Sequence, residues 1–500
     1  MRRSGILCPV SSLPSSGGIG CFSKEAYEFV DFLKASGQSL WQVLPLSPTG
    51  FGDSPYQSFS SFAGNPYFIS LEELEKEGLL RSEDYAGIDF GSDPVRVDYG
   101  KLYENRFRVL RTAYEAFKGK ADPAYESFLK ENEGWLTDYT LFMAIKNSQG
   151  GAAWQTWEKG LADRRSEACK RAESELADEM GFYAFQQYEF LKQWEKLKAY
   201  ANASGIEIVG DIPIYVAPDS ADAWANPDIF LFDEDNLPTA VAGCPPDLFS
   251  VTGQLWGNPL YDWEAMKKDN YSWWTARLLY SFKIYDLVKI DHFRGFESFY
   301  AVPYGHKTAE HGEWLPGPGL ALFEAVEKAY GKKLPLLAED LGLITPEVRK
   351  LLKDTGIPGM KVLQFAFSGD NKNVYLPFHA EKHAVIYTGT HDNETTRSWI
   401  ENASDKERDQ ARRVINSIFT DYGAFTWDMI RAAQGSVCDT CIIPIQDYLV
   451  KDNSARMNTP SVAWGNWQWR MKPHEISWEL TEAIAQIVET YGRMPEEEEV

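Results

Sequence analysis

The sequence contains little cysteine, and this shortage excludes a fold held together by disulfides. Six cysteines are spread over 500 residues, whereas disulfide scaffolds are small and dense in cysteine. Cys438 and Cys441 have the spacing of a redox or zinc motif, but no second such pair and no cluster of histidines accompanies them. They lie in an apolar, strand-like run, so we expect ordinary buried thiols.

Basic residues and long apolar runs are also scarce. The chain has 50 Lys and Arg against 73 Asp and Glu, a net charge of −23, which argues against nucleic acids, phosphorylated substrates and anionic membranes as partners. No apolar run approaches the roughly 18–20 residues of a membrane-spanning helix, and no signal peptide is visible. We therefore expect a cytoplasmic protein, and a neutral polymer is compatible with its charge.

Aromatic residues and short apolar strands are plentiful. Aromatic residues make up 14% of the chain, with 17 Trp; they could stack on sugar rings, although composition alone favours core packing. Eight candidate strands are rich in β-branched residues and show no alternation of apolar and polar residues, as in parallel sheets that are buried on both faces. They are Gly5–Val10, Ser39–Leu44, Glu207–Ile212, Leu287–Ile290, Leu334–Ala338, Met360–Phe367, Ala384–Thr388 and Cys438–Ile445.

Helical patterns lie between several of these strands. Ser23 precedes one such pattern, Thr345 precedes another that starts with proline, and Ser404 with Glu407 has the spacing of a capping box. Eight strands in alternation with helices predict a (β/α)8 TIM barrel. We expect residues 1–500 to form a single catalytic barrel.

Two connections are too long for simple barrel loops. Residues from 46 to about 205 predict a mostly helical subdomain, with helices near 101–118, 123–146 and 180–203. Residues from 213 to about 285 form a second, aromatic-rich excursion. We interpret both as insertions on the C-terminal face of the barrel, where long loops build functional sites.

Acidic residues recur where the predicted strands end. Because strand ends converge on one rim of a barrel, residues far apart in the chain meet there. A single such Asp is better explained as a turn or helix cap, but acids after five strands, two of them beside histidine, indicate a site. Breaking a glycosidic bond needs one carboxylate as nucleophile and another as acid, and this pattern supplies both. The acids are Asp211, Asp291, Glu339 with Asp340, Asp392, and Asp447.

A metal site is the alternative explanation for such a cluster. Carboxylates beside histidine could hold Mg²⁺ or Zn²⁺, and His391 next to Asp392 is the one suggestive pair. The sequence has no HExxH motif, and residues 233–236 lack the glycine and distal glutamate of a calcium loop. We therefore expect neither a metal nor any other cofactor.

Longer strings, spread over nearly the whole chain, are more specific than any single motif. They are Ser11–Pro14, Gly18–Gly20, Trp41–Leu46, Ser54–Tyr56, Gly210–Tyr215, Gly253–Pro259, Asp291–Phe296, Ala338–Gly342, His391–Asn393 and Gly465–Trp467. Together they resemble the 4-α-glucanotransferases, known as amylomaltases or disproportionating enzymes, within the α-amylase clan. The resemblance implies an enzyme that acts on α-1,4-glucans and maltooligosaccharides.

The resemblance also implies roles for single residues. Asp291 lies at the position of the nucleophile, and Glu339 lies at the position of the acid/base. Asp392 lies at the position of a third acid, which binds sugar hydroxyls and stabilises the transition state. It implies further that Tyr56 stacks on the reacting glucose, and that Gln254 and Trp256 lie on a flexible acceptor-side loop near residues 250–258. The remaining positions assigned to substrate binding are Asp211, Lys289, His292, His391 and Asn466.

One position departs from the family pattern. The family usually carries Arg two residues before the nucleophile, where this chain has Lys289. A side chain two residues before Asp291 on a strand points to the same side, so we expect the charge of Lys289 to lower the pKa of Asp291. Glu339 follows an apolar run, so we expect burial near other acids to keep it protonated.

These expectations describe a retaining transferase. Asp291 attacks the anomeric carbon, Glu339 protonates the leaving oxygen, and the 4-hydroxyl of an acceptor glucan then takes the glucosyl unit. The residues alone leave open a hydrolase in which water is the acceptor, and the resemblance alone favours transfer. A non-catalytic glucan-binding protein is the second alternative, against which the intact trio of acids argues. Nothing in the sequence predicts the oligomeric state.

Overall fold

The computed structural model describes residues 2–246, 250–418 and 420–496, and this part of the chain contains twelve strands. They are β1 (Arg3–Leu7), β2 (Leu40–Gln42), β3 (Glu207–Ile212), β4 (Ala240–Cys244), β5 (Gln254–Pro259), β6 (Leu287–Ile290), β7 (Ser298–Pro303), β8 (Glu313–Pro316), β9 (Leu336–Ala338), β10 (Gly359–Val362), β11 (Ala384–Tyr387) and β12 (Thr440–Pro444).

Eight of these strands form one parallel sheet in the order β10-β11-β12-β1-β2-β3-β6-β9. The amide of Ala338 donates a hydrogen bond to the carbonyl of Pro358, next to β10, at 2.9 Å and joins the two edges. The β-branched residues of these strands, such as Val288 and Ile442, are fully buried, as expected for a sheet covered on both faces. The predicted (β/α)8 barrel is confirmed, although the sixth predicted strand ends early because Leu363–Phe365 forms a 3₁₀ turn.

The described residues contain eighteen α-helices. They are α1 (Lys24–Ala35), α2 (Leu71–Lys76), α3 (Tyr99–Phe117), α4 (Pro123–Glu131), α5 (Glu133–Ser148), α6 (Lys159–Ala162), α7 (Glu167–Glu175), α8 (Ala177–Ala203), α9 (Ala221–Ala225), α10 (Trp263–Lys268), α11 (Ser272–Ile284), α12 (Leu320–Tyr330), α13 (Pro346–Thr355), α14 (Thr396–Asn402), α15 (Asp405–Val414), α16 (Tyr422–Gln434), α17 (Ile445–Tyr448) and α18 (Trp478–Thr490). No helix of the described residues is both long and apolar enough to cross a membrane.

The predicted helix starts are present. Thr345 accepts a hydrogen bond from the amide of Val348, and Ser404 and Glu407 form the reciprocal capping box at the start of α15. Ser23 occupies the N-cap position of α1 without a capping hydrogen bond. Cys438 and Cys441 are buried free thiols, as predicted.

The long connection between β2 and β3 is mostly helical, and its first part is hydrogen-bonded to α8, its last helix. The side-chain amide of Gln187 both donates to and accepts from the backbone of Gly64, at 2.9 and 2.6 Å. Gln193 accepts from the amide of Ser70 at 2.7 Å. These bonds fix the segment that follows Tyr56 against α8. The helix predicted over 123–146 is two helices, which meet at Asn132.

A second sheet of four antiparallel strands, in the order β5-β4-β7-β8, is absent from the sequence prediction. β4 and β5 belong to the connection between β3 and β6, whereas β7 and β8 belong to the next connection, between β6 and β9. The prediction of a loop near 250–258 is wrong for residues 254–258, because these residues form most of β5 and pair with β4. Residues 247–249 lie outside the described residues.

Candidate functional site

Three acids at the C-terminal ends of neighbouring strands meet at the rim of the barrel: Asp211 lies near the end of β3, Asp291 follows β6 and Glu339 follows β9. The amide of Asp291 donates to the carbonyl of Ile212 at the end of β3, and the amide of Glu339 donates to the carbonyl of Ile290 at the end of β6, both at 3.0 Å. The sheet ladder therefore continues one residue past the strands and sets Asp211, Asp291 and Glu339 side by side.

Lys289 lies at the centre of this group, and its side chain is only 3% exposed. Its ammonium nitrogen donates to Glu339 Oε2 at 2.7 Å and lies 3.0 Å from Asp211 Oδ2. The distance to Asp291 Oδ1 is longer, at 3.9 Å. Lys289 points inward, but it pairs with Glu339 and Asp211 more closely than with Asp291.

The pKa shifts of Asp291 and Glu339 run opposite to what the sequence suggested. Burial and the neighbouring charge of Glu339 raise the pKa of Asp291 well above its usual range. Burial also acts to raise the pKa of Glu339, but the charge and hydrogen bond of Lys289, with a hydrogen bond from Asp291, lower it to about 2. The directions of both pKa shifts are opposite to the expectation that Glu339 is protonated and Asp291 ionised. The two carboxyls are hydrogen-bonded to each other and share one proton.

A ring stack covers the Asp211 side of the site. The hydroxyl of Tyr56 donates to Asp211 Oδ2 at 3.0 Å, and the Tyr56 ring stacks on His391 with centroids 5.2 Å apart. Trp467 lies 5.6 Å from the Tyr56 ring and 5.8 Å from the His391 ring. Asp211 itself is fully buried, and its Oδ1 has no hydrogen-bond partner among the described residues.

His292 forms the opposite wall of the site. Its backbone is left-handed, with φ 52°, which turns the chain sharply after Asp291. Its ring meets Trp256 edge to face at 4.8 Å, and Trp256 Nε1 donates to Gln254 Oε1 at 3.1 Å. Burial lowers the pKa of His292 to about 4, so the ring is neutral at pH 7. Its Nε2 is buried without a hydrogen-bond partner among the described residues.

Asp392 stands at the open side of the site, with its side chain 43% exposed. Its Oδ1 lies 3.3 Å from His391 Nε2 and accepts a hydrogen bond from Asn458 at 2.7 Å. Sequence reasoning missed Asn458, because a lone asparagine in a loop carries no pattern. Asn466 does not point to the acids; its amide accepts from the Thr459 amide at 3.0 Å and donates to the Val462 carbonyl at 2.7 Å.

Two of the acids that follow strands lie outside the site. Asp447 is buried and accepts hydrogen bonds from the hydroxyls of Thr388 and Thr396, each at 2.6 Å. Asp340 accepts from the amide of Met360 at 2.6 Å, next to β10. Asp447 also accepts from the backbone amide of Thr396 at 2.8 Å. Both carboxylates therefore hold backbone in place at the rim, which is the role that a single acid after a strand usually has.

The described residues contain no group of three or more His, Cys, Asp and Glu side chains that could hold a metal ion. The position among the acids that a cation could take is filled by the ammonium group of Lys289. The site can therefore supply a nucleophilic carboxylate, a second carboxyl that shares its proton, and an internal positive charge.

Comparison with known sequences identifies similar proteins over the full chain. The family model of the 4-α-glucanotransferases, glycoside hydrolase family 77, matches residues 8–477. The 4-α-glucanotransferase of Clostridium butyricum is 47% identical over 485 residues, which cover 97% of this chain and 99% of that protein. The 4-α-glucanotransferase of Streptococcus pneumoniae strain TIGR4 is 48% identical over 500 residues, with coverage of 99% and 98%.

Solved structures give the same result. The amylomaltase from Streptococcus agalactiae in complex with acarbose superposes with a TM-score of 0.96 at 40% identity, over 99% of this chain and 100% of that one. The amylomaltase from Corynebacterium glutamicum superposes with a TM-score of 0.78 at 18% identity, over 97% and 75% of the two chains, and is similar in fold.

Proposed function

The chain belongs to the 4-α-glucanotransferases of glycoside hydrolase family 77, and on that premise we propose that Asp291, Glu339 and Asp392 perform its glucan transfer by double displacement. The chain is an enzyme, and its activity is the transfer of α-glucan segments. The observation that carries the assignment of roles is the hydrogen-bonded pair of Asp291 and Glu339 beside the buried Lys289.

The first displacement needs the shared proton on Glu339. We propose that it passes along the hydrogen bond from Asp291 to Glu339 as the donor glucan fills the site, because positive charge developing at the anomeric carbon favours ionised Asp291. Asp291 then attacks the anomeric carbon. Glu339 gives its proton to the departing glycosidic oxygen, and a glycosyl ester on Asp291 remains.

The second displacement reverses these roles. The 4-hydroxyl of an acceptor glucan or glucose attacks the anomeric carbon of the ester, and Glu339, now ionised, accepts the hydroxyl proton. The ester bond to Asp291 breaks and a new α-1,4 bond forms. Lys289 stabilises ionised Glu339 between the two steps, since its ammonium nitrogen lies 2.7 Å from Glu339 Oε2.

Unpaired polar atoms in the site fit sugar hydroxyls. Asp211 Oδ1 and His292 Nε2 are buried without protein partners among the described residues, and a buried polar atom without a partner is costly. We assign both atoms to hydroxyls of the reacting glucose, which rests on the rings of Tyr56 and His391. Gln254 and Trp256 line the acceptor side. Asn466 acts indirectly, by fixing the loop before Trp467.

The substrates that we assign are α-1,4-glucans and maltooligosaccharides. The amylomaltase of Streptococcus agalactiae was solved with acarbose, so we expect acarbose to bind in this site as well. We further assign the protein to the cytoplasm, where maltooligosaccharides from glycogen or starch breakdown would be its substrates. No cofactor is part of the proposal.

Incubation with maltotriose tests the reaction. We expect glucose together with oligomers longer than maltotriose, and no steady rise in reducing ends. Proton NMR of the longer oligomers should show that the newly formed glycosidic bonds have the α configuration, because Asp291 and Glu339 act in two successive inversions. A steady rise in reducing ends would indicate hydrolysis, and a β-linked product would refute the double displacement. The Asp291→Asn variant serves as the inactive control.

A further inference from the structure

We propose that Asn458 is a positioning residue for the transfer reaction and holds the carboxylate of Asp392 in its working orientation. This inference rests on the proposed role of Asp392. Asn458 Nδ2 donates to Asp392 Oδ1 at 2.7 Å, and the backbone amide of Asn458 donates to the carbonyl of His391 at 3.1 Å. One residue of a distant loop thus fixes both the backbone and the side chain of the His391–Asp392 pair.

Arg456 makes a second connection between this loop and Asp392. Its Nη2 donates to the backbone carbonyl of Asp392 at 2.6 Å, and its Nε donates to the carbonyl of Asn458 at 2.8 Å. The guanidinium group therefore bridges the two residues through their backbones. This leaves the neutral amide of Asn458 as the donor from this loop to the Asp392 carboxylate.

The loop that carries Asn458 is itself held in place, so the side-chain amide of Asn458 has a fixed position. The amide of Trp467 donates to the carbonyl of Met457 at 2.7 Å, which closes the loop at its base. Inside the loop, Asn466 binds the Thr459 amide and the Val462 carbonyl. A fixed donor aligns a carboxylate better than a mobile one, because less entropy is lost when the substrate arrives.

The two oxygens of Asp392 then have different tasks. Oδ1 is occupied by Asn458 and lies near His391, whereas Oδ2 accepts no hydrogen bond from any described residue. We infer that Oδ2 is the atom that takes sugar hydroxyls. The charged or titratable groups around Asp392 are His391, Arg456, Asp291 and Tyr56.

Two substitutions of Asn458 test the inference. Asn458→Ala removes the donor, and we expect kcat for maltotriose to fall roughly ten- to a hundredfold, the usual effect of losing one hydrogen bond to a charged group, with a smaller change in KM. Asn458→Asp is isosteric but sets two carboxylates 2.7 Å apart. At low pH one shared proton replaces the amide donor; at higher pH both ionise and repel each other. The alkaline limb of the activity profile should therefore move to lower pH.

Asn402→Asp is the matched control. Asn402 Nδ2 also donates to a carboxylate oxygen at 2.7 Å, that of Glu394, but at the exposed end of α14. We expect its pH profile to overlay that of the parent. The inference is overturned if both Asn458 variants fold, as thermal unfolding shows, and match the parent in kcat and pH profile. If instead Asp392→Asn keeps full activity, the proposed role of Asp392 fails, whatever Asn458 does.

Discussion

A methionine in place of Lys289 would keep most of the side-chain volume and remove the positive charge around which Asp211, Asp291 and Glu339 gather. The ammonium nitrogen lies 2.7 Å from Glu339 and 3.0 Å from Asp211. At an effective dielectric constant of about 20, each contact has a gross attraction of roughly 6 kcal/mol. Desolvation offsets much of this, and removing one partner of a buried pair costs about 3–5 kcal/mol net. We expect Lys289→Met to lose about that much unfolding free energy at pH 7.

The loss should depend on pH in a defined direction. Lys289 holds the pKa of Glu339 at about 2, below its ordinary value of 4.5, so in the parent this carboxyl contributes stability above pH 4.5 that is lost as the pH falls toward 2. Without the cation, burial raises the pKa of Glu339, and this contribution disappears. The difference in unfolding free energy between parent and variant should therefore be largest near pH 7 and should narrow as the pH falls from 4.5 towards 2.

The assay combines urea unfolding at several pH values with turnover of maltotriose. We expect Lys289→Met to lower turnover by the equivalent of about 2–4 kcal/mol, the usual effect of losing one preorganised electrostatic partner. Lys289→Arg, which restores the residue usual in the family, should stay folded and active. If Lys289→Met matches the parent in turnover and in stability at pH 7, the cation does not set the charges of this site, and the reasoning is refuted.

Three further predictions concern the reacting acids, metals and packing. Asp291→Asn and Glu339→Gln should each fold and be nearly inactive. The double variant should lose little further turnover, since the two groups act as a unit. Near-normal turnover of either single variant would mean that the wrong pair is assigned. EDTA should leave turnover unchanged, and restoration of lost activity by one specific ion would contradict the absence of a cofactor. Gly210→Ala should lower the unfolding free energy by about 1–3 kcal/mol in urea or thermal unfolding, because the added Cβ would lie 2.3 Å from the Tyr285 ring. Gly134→Ala is the control: its Cβ would meet nothing within 4 Å, so it should not destabilise the protein.

The barrel was predictable because its strands are buried on both faces. Runs such as Leu287–Ile290 and Ala384–Tyr387 leave a continuous apolar signature in the sequence. The four-stranded sheet left no such signature. β8 is almost wholly exposed, and β5 is half-buried over most of its length, so neither strand stands out from its surroundings.

The site was predictable in composition but not in charge. Strand ends that converge on one rim predict which acids meet, and Asp211, Asp291 and Glu339 do meet around Lys289. Which of two adjacent carboxyls keeps a proton depends on differences of about 1 Å in their distances to Lys289. The alternation of strand residues does not define such distances. Likewise, Asn458 reaches Asp392 across 66 positions of sequence, a separation that no local pattern reports.

The four-stranded sheet restricts how the acceptor side of this enzyme can be engineered. β4 pairs with β7, from Ala240 opposite Pro303 to Gly243 opposite Tyr300, so two successive barrel connections share one ladder. A graft that exchanged residues 213–285 alone would leave β7 beside a foreign strand whose register was never matched to it. The smallest exchangeable module therefore runs from the end of β3 to the start of β9, and it carries the nucleophile and its strand along with it.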